Sequence, residues 1–207
     1  MTRAWIFAAS RRLPTSLATL AILAILGAAL GGARLRSGAE TGLGIPWVVM
    51  IPVLMAGVVA VSAESPFADF DAMRARSLAP ARFAHVGMLL TIAAAETWAM
   101  TRLLPAPYSA SAALRNLALL GGLGLLSAGV VQPRLAWIAP MGYGLAALLL
   151  GGEAGHVRPW AWLLMPDHSR AAALVAAVVF VAGLLVAALL PTDGPARGPG
   201  RRRILRR

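Results

Sequence analysis

Six apolar runs partition this chain, at 16–33, 44–63, 83–104, 114–131, 135–152 and 171–190. Each holds 18–22 residues. A helix rises about 1.5 Å per residue, so such a run reaches across the roughly 30 Å hydrocarbon core of a bilayer. Six of them in 207 residues leave little chain for any other fold. The expected class is therefore all-α, a polytopic membrane protein with six transmembrane helices. Composition agrees: 59% of residues are hydrophobic and 13% are charged, against about 45–50% and about 25% in soluble domains.

The connectors fill in the plan. Residues 1–13, MTRAWIFAASRRL, carry an apolar stretch of about six residues, too short for a leader. They read as an N-terminal interfacial helix, with Trp5, Ile6 and Phe7 in the lipid boundary and Arg3, Arg11 and Arg12 at the headgroups. Pro14 then turns the chain, and Thr15 or Ser16 caps the first span. Gln132, Pro133 and Arg134 make a tight helical hairpin between spans 4 and 5. In 153–170, EAGHVRPWAWLLMPDHSR, Trp160, Trp162, Leu163, Leu164 and Met165 are too few to span and too apolar for open water. Bracketed by Pro159 and Pro166, they predict a short helix or re-entrant turn at the outer interface. The Pro/Gly/Arg-rich segment 191–207 predicts a disordered basic tail that meets anionic lipid.

Arginine placement sets the expected orientation. With both termini on one side, that side holds thirteen arginines and the other holds six. The positive-inside rule then puts both termini in the cytoplasm, and bacterial cytoplasmic-membrane residence follows from the whole pattern. The same count puts 64–82 on the cytoplasmic face. This segment holds Glu64, Asp69 and Asp71 beside Arg74, Arg76 and Arg82. Phe67, Phe70 and Met73 recur at three-residue steps, with the aspartates near the front and the arginines behind, as a helix dipole prefers. The pattern predicts a short amphipathic helix across the cytoplasmic face, ended by Pro80. A plain solvated linker is the other reading of the segment.

Several functions are excluded by what the chain lacks. It has no cysteine, hence no disulfide or thiol chemistry. It has no lysine: all nineteen basic residues are arginine. Schiff-base catalysis and the P-loop lysine are both ruled out. Three histidines and eight acids form no HExxH and no clustered aspartate motif, so no metal site and no cofactor are expected. Ser127 in LLSAG has no histidine in any later span. The chain is not expected to be an enzyme. The net charge of +11 gathers at span ends and in the tail, which suits lipid headgroups rather than nucleic acid.

Few polar residues lie inside the runs. Glu96, in TIAAAETWAM, is a mid-span acid that costs on the order of 3 kcal/mol unless it faces protein or water. It reads as a contact in a transport path, as an interhelical hydrogen bond, or as an outer-leaflet position near Arg102. Arg102 and Arg115 flank the outer 105–113 loop and are expected to snorkel to headgroups. Asn116 can donate across to another helix. His85 sits near the cytoplasmic end of span 3 as an interfacial hydrogen-bonder. Gly27 and Gly31 in span 1, Gly121, Gly122, Gly124 and Gly129 in span 4, and Gly142 and Gly144 in span 5 mark close helix approach, within the bundle or in a dimer.

The order of these parts resembles the membrane subunit of the type-two ABC exporters. The local carriers are SPFADFDAMRARSLAPARFAHVGMLL (65–90), LRNLALLGGLGLL (114–126) and LAWIAP (135–140). These look like small permease-like proteins encoded beside ABC ATPases in actinobacteria. In that family the connection between spans 2 and 3 is a coupling helix that docks on the ATPase. The connection between spans 5 and 6 carries short re-entrant helices. The resemblance implies an ABC ATPase as partner and a second membrane subunit, identical or related. Carried onto this sequence, it places ATPase contact at Phe67, Asp69, Phe70, Met73 and Arg74, and the outer re-entrant element at Trp160 and Trp162. The chain is short for the family, its cytoplasmic loop is compact and its outer element is abbreviated, which leaves room for an accessory subunit.

The expected function is a permease subunit that exports a hydrophobic or amphipathic compound, driven by a separate ATPase. Two other classes share the composition. One is the substrate-capturing membrane subunit of a small-molecule importer, which calls for a polar cluster such as Glu96, Arg102 and Tyr108 near the outer surface. The other is a membrane scaffold or assembly protein, which calls for no motif.

Overall fold

The computed structural model describes residues 13–30, 34–35, 45–46, 49–63, 79–103, 109–131, 135–153 and 156–189. Six helices appear among them: α1 (Leu13–Leu30), α2 (Met50–Ser62), α3 (Ala79–Leu103), α4 (Ala110–Val130), α5 (Ile138–Leu150) and α6 (Arg170–Leu189). One falls on each expected run. Two small antiparallel pairings supplement them, β1 (Arg34–Leu35) with β2 (Ile45–Pro46) and β3 (Gly152–Glu153) with β4 (His156–Val157). Four helices, α1, α3, α4 and α6, are long and apolar enough to cross a membrane.

The other two are shorter than expected. α2 and α5 hold 13 residues each, which makes about 20 Å of helix. Run 44–63 loses its first turn because Ile45 and Pro46 are extended and pair with β1. Run 135–152 ends early because Gly152 enters the β3–β4 pairing. Hydropathy measures how apolar a stretch is and not whether its backbone is helical, so it overstates both elements.

Proline starts helices here. Pro14, Pro52, Pro80 and Pro140 lie in the first turns of α1, α2, α3 and α5, where a missing N–H goes unneeded. Two expectations are corrected by this. Pro14 does not turn the chain ahead of a capped helix, and Thr15 and Ser16 lie inside α1. Pro80 lies inside α3: residues 79–82 of the 64–82 segment form its first turn, and the rest of that segment, where the amphipathic helix is expected, lies outside the described residues. The capping residues are elsewhere. The Ser109 hydroxyl accepts from Ala112 N at 3.2 Å and starts α4 four residues ahead of its apolar run. The Ser169 hydroxyl accepts from Ala172 N at 3.3 Å at the start of α6.

The helices alternate in direction. Gly27 meets Met100 and Ile51, which gathers the end of α1, the start of α2 and the end of α3. Gly124 of α4 meets Ala60 near the end of α2 and Pro140 near the start of α5, at the opposite end of the bundle. α2 and α4 form the centre. Ile51, Val53, Met55, Ala56, Val59 and Ala60 of α2 are buried, as are Leu117, Leu119, Leu120 and Leu125 of α4. The expectation that glycines allow close approach holds at Gly122. A Cβ there would lie 2.6 Å from Val179 O and 2.7 Å from Phe180 Cα of α6. Gly183, the partner position on α6, was not singled out by sequence. A Cβ there would lie 2.5 Å from Gly122 O. Gly27 likewise packs inside the chain rather than against a second copy.

The outer surface of this bundle is inverted relative to a soluble protein. Leu174, Val178, Val181 and Leu185 line the outward face of α6, with Leu174 66% and Val178 67% exposed. Ile22, Ile25, Leu26 and Leu30 do the same on α1. Contiguous apolar surface of this kind is unfavourable in water but matches lipid tails, which are as apolar as leucine. Together with four helices of spanning length, it reads as an integral membrane protein.

Candidate functional site: a re-entrant turn held by three side chains

Among the described residues, the connection from α5 to α6 is the most elaborated. After the β3–β4 pairing, Arg158 N donates to Gly151 O at 2.8 Å and brings the chain back to the end of α5. A 3-10 turn, Trp162–Leu164, follows. Its backbone bonds are local: Ala161 N to Arg158 O and Leu164 N to Ala161 O, both at 2.9 Å. Pro159 and Pro166 bracket the turn, as their spacing predicts.

The turn dips into the bundle. Tyr143 lies seven residues before the end of α5, about 10 Å down the helix. Its hydroxyl donates to Trp160 O at 2.9 Å and accepts from Trp162 N at 3.0 Å. Asn116 lies six residues past the start of α4, about 9 Å inside, and its Nδ2 donates to Leu163 O at 2.9 Å. Leu163 is buried in a cluster with Val53 and Ala56 of α2, Leu119 and Leu120 of α4, Ala147 of α5 and Ala176 of α6. A 3-10 turn with Leu163 buried thus stands where the sequence predicts a short helix or re-entrant turn. Trp160 is exposed and Trp162 is half-buried.

Arg115 departs from expectation. It does not snorkel away from the bundle. Its guanidinium turns onto the connection, with Nη1 donating to Pro166 O at 2.9 Å and Nη2 to Met165 O at 2.8 Å. Nε and Nη2 also reach Asn116 Oδ1, each at 3.3 Å. The reason is local. The last carbonyls of a 3-10 turn have no partner within the turn, and a planar fork of N–H donors satisfies several at once. Irregular backbone at this depth persists where protein groups satisfy it, and Arg115, Asn116 and Tyr143 do so.

The remaining site residues are scattered. Arg102 is exposed at the end of α3, its guanidinium carbon 5.2 Å from the centroid of the exposed Trp98 ring. This is a cation–π pair of the kind found at membrane–water boundaries. Glu96 is half-buried on α3, and its Oε2 is buried with no hydrogen-bond partner among the described residues. The interhelical hydrogen bond expected of it is not formed by that oxygen. His85 is buried near the start of α3. Phe67, Asp69, Phe70, Met73 and Arg74, the expected ATPase contacts, lie outside the described residues, as do Tyr108, the Gln132–Arg134 hairpin, residues 1–12 and the tail. Among the described residues, no three histidine, aspartate or glutamate side chains gather as a metal site.

Sequence reasoning missed Tyr143 and the inward role of Arg115. A signal existed for both. An adjacent Arg–Asn pair just inside the start of one apolar run and a lone tyrosine in the middle of another are donors that need acceptors, and the proline-bracketed connection supplies them. The chain matches no protein-family model, no curated protein and no solved structure.

Proposed function

We propose that this chain is the membrane-spanning subunit of an ATP-binding-cassette exporter of a hydrophobic or amphipathic compound. The observation that carries the reading is the α5–α6 connection, an apolar turn re-entering the bundle ahead of the last of six alternating helices. That order of parts is the one the type-two exporters use. In this reading both termini face the bacterial cytoplasm and the re-entrant turn lies at the outer face. A separate ATPase docks on the segment preceding α3, at Phe67, Asp69, Phe70, Met73 and Arg74. A second membrane subunit completes the transporter. ATP-driven closure of the ATPase pair pushes on this segment and tilts α2 and α3, whose packed ridges pass the motion to α4.

Affinity purification of the tagged full-length chain from its native membrane tests this. The expected result is an ATPase that carries a P-loop, lost when Phe70 and Met73 are both replaced by Asp. Recovery of no such ATPase overturns the proposal, as does an ATPase whose binding and turnover ignore the double replacement.

A further inference from the structure

The oxygens around Arg115 form a cage. Pro166 O, Met165 O and, at 3.5 Å, Trp162 O meet the guanidinium together with Asn116 Oδ1. All four are neutral. Three are backbone carbonyls in or just past a 3-10 turn, where the negative end of the turn dipole gathers. Interrupted helices in membrane proteins use such carbonyls to hold small cations. Here the chain supplies the cation itself. We propose that the 158–166 turn is a releasable latch pinned by Arg115, and that the cage under the pin accepts small guanidinium compounds when Arg115 is removed.

The bonding shows why the turn can leave as a unit. Its own backbone bonds, from Ala161 to Arg158 and from Leu164 to Ala161, are internal and survive release. Apart from the backbone bond from Arg158 N to Gly151 O at its base, its ties to α4 and α5 are side-chain bonds from Arg115, Asn116 and Tyr143. Burial of Ala161 and Leu163 adds to them. No helix has to unwind for the turn to lift. The cage geometry suits a planar, donor-only cation with several N–H groups better than a compact ammonium or a bulky quaternary amine. The inference does not depend on the ATPase reading.

The absence of cysteine makes the test direct, because Leu163→Cys introduces the sole thiol. Full-length protein in native membranes is treated with a membrane-impermeant maleimide. With Arg115 present, Leu163→Cys labels slowly. Adding Arg115→Ala speeds labelling by about tenfold or more, the factor expected from loss of charged hydrogen bonds. Millimolar methylguanidinium slows it again, and choline does not. Leu125→Cys, buried in a separate cluster from Leu163, stays unlabelled in the same background. If Leu125→Cys also labels there, the Arg115→Lys background decides, since it keeps charge with fewer donors. Intermediate labelling at Leu163→Cys, with Leu125→Cys silent, supports the latch. Equal labelling at both positions, or no acceleration at Leu163→Cys, overturns it. Acceleration that methylguanidinium fails to reverse overturns the cage.

Discussion

Asn116 Nδ2 donates to Leu163 O across 2.9 Å, joining a side chain well inside α4 to the backbone of a turn 47 residues later. Both partners are buried, Asn116 at 1% and Leu163 at 2% exposure. The bond fixes how far the turn enters the bundle. Replacing Asn116 by Leu leaves the Leu163 carbonyl without this donor in an apolar cluster, at a cost of about 1–3 kcal/mol. Thermal unfolding in detergent is expected to show a lower midpoint for Asn116→Leu, and a midpoint equal to that of the parent chain would remove Asn116 from the account.

Tyr143 holds the other side of the turn. Its hydroxyl both donates and accepts, so Tyr143→Phe removes two bonds while keeping the ring. The expected loss is about 1–2 kcal/mol. Hydrogen exchange at the Trp162 amide, which donates to that hydroxyl, should accelerate in Tyr143→Phe while amides in α2 keep their protection.

The α4–α6 crossing leaves no room for a methyl group at Gly183, where a Cβ would meet Gly122 O at 2.5 Å and Gly122 Cα at 2.9 Å. These obstacles are backbone and cannot rotate aside. Gly183→Ala is expected to cost about 1–3 kcal/mol by forcing the two helices apart. Gly142 is the control, because nothing lies within 4 Å of a Cβ built there. Unfolding midpoints of the two variants should separate clearly, with Gly142→Ala at or above the parent value.

The outward face of α6 tests the membrane reading directly. Val178 is exposed near the middle of that helix. An arginine at the centre of a spanning helix costs about 2.5–3.5 kcal/mol on insertion scales. Val178→Arg should reduce membrane integration of α6 in a translocation assay, whereas a soluble bundle would tolerate the change with improved solubility.

Much of this architecture was legible in the sequence. The six apolar runs located six helices, because helices satisfy their own backbone and so let an apolar segment leave water. The prolines at 159 and 166 and the aromatic run between them marked the re-entrant turn, because too few apolar residues stood there to span. Helix boundaries were less legible. Ser109 and Ser169 start α4 and α6 through single hydroxyl bonds that hydropathy does not register. Pro80 reads as a stop in sequence, yet it lies in the first turn of α3.

By itself, the sequence determined which segments leave water and excluded a P-loop and thiol chemistry from this chain, since both facts depend on residue type alone. Tertiary structure decided which way Arg115 faces, which glycines touch and how short α2 and α5 become. A guanidinium can donate to headgroup phosphates or to carbonyls, so only the carbonyls brought within 3 Å by the folded α5–α6 connection settle which way it turns. A glycine is equally permissive everywhere, and the backbone opposite Gly122 and Gly183 makes those two indispensable to the crossing.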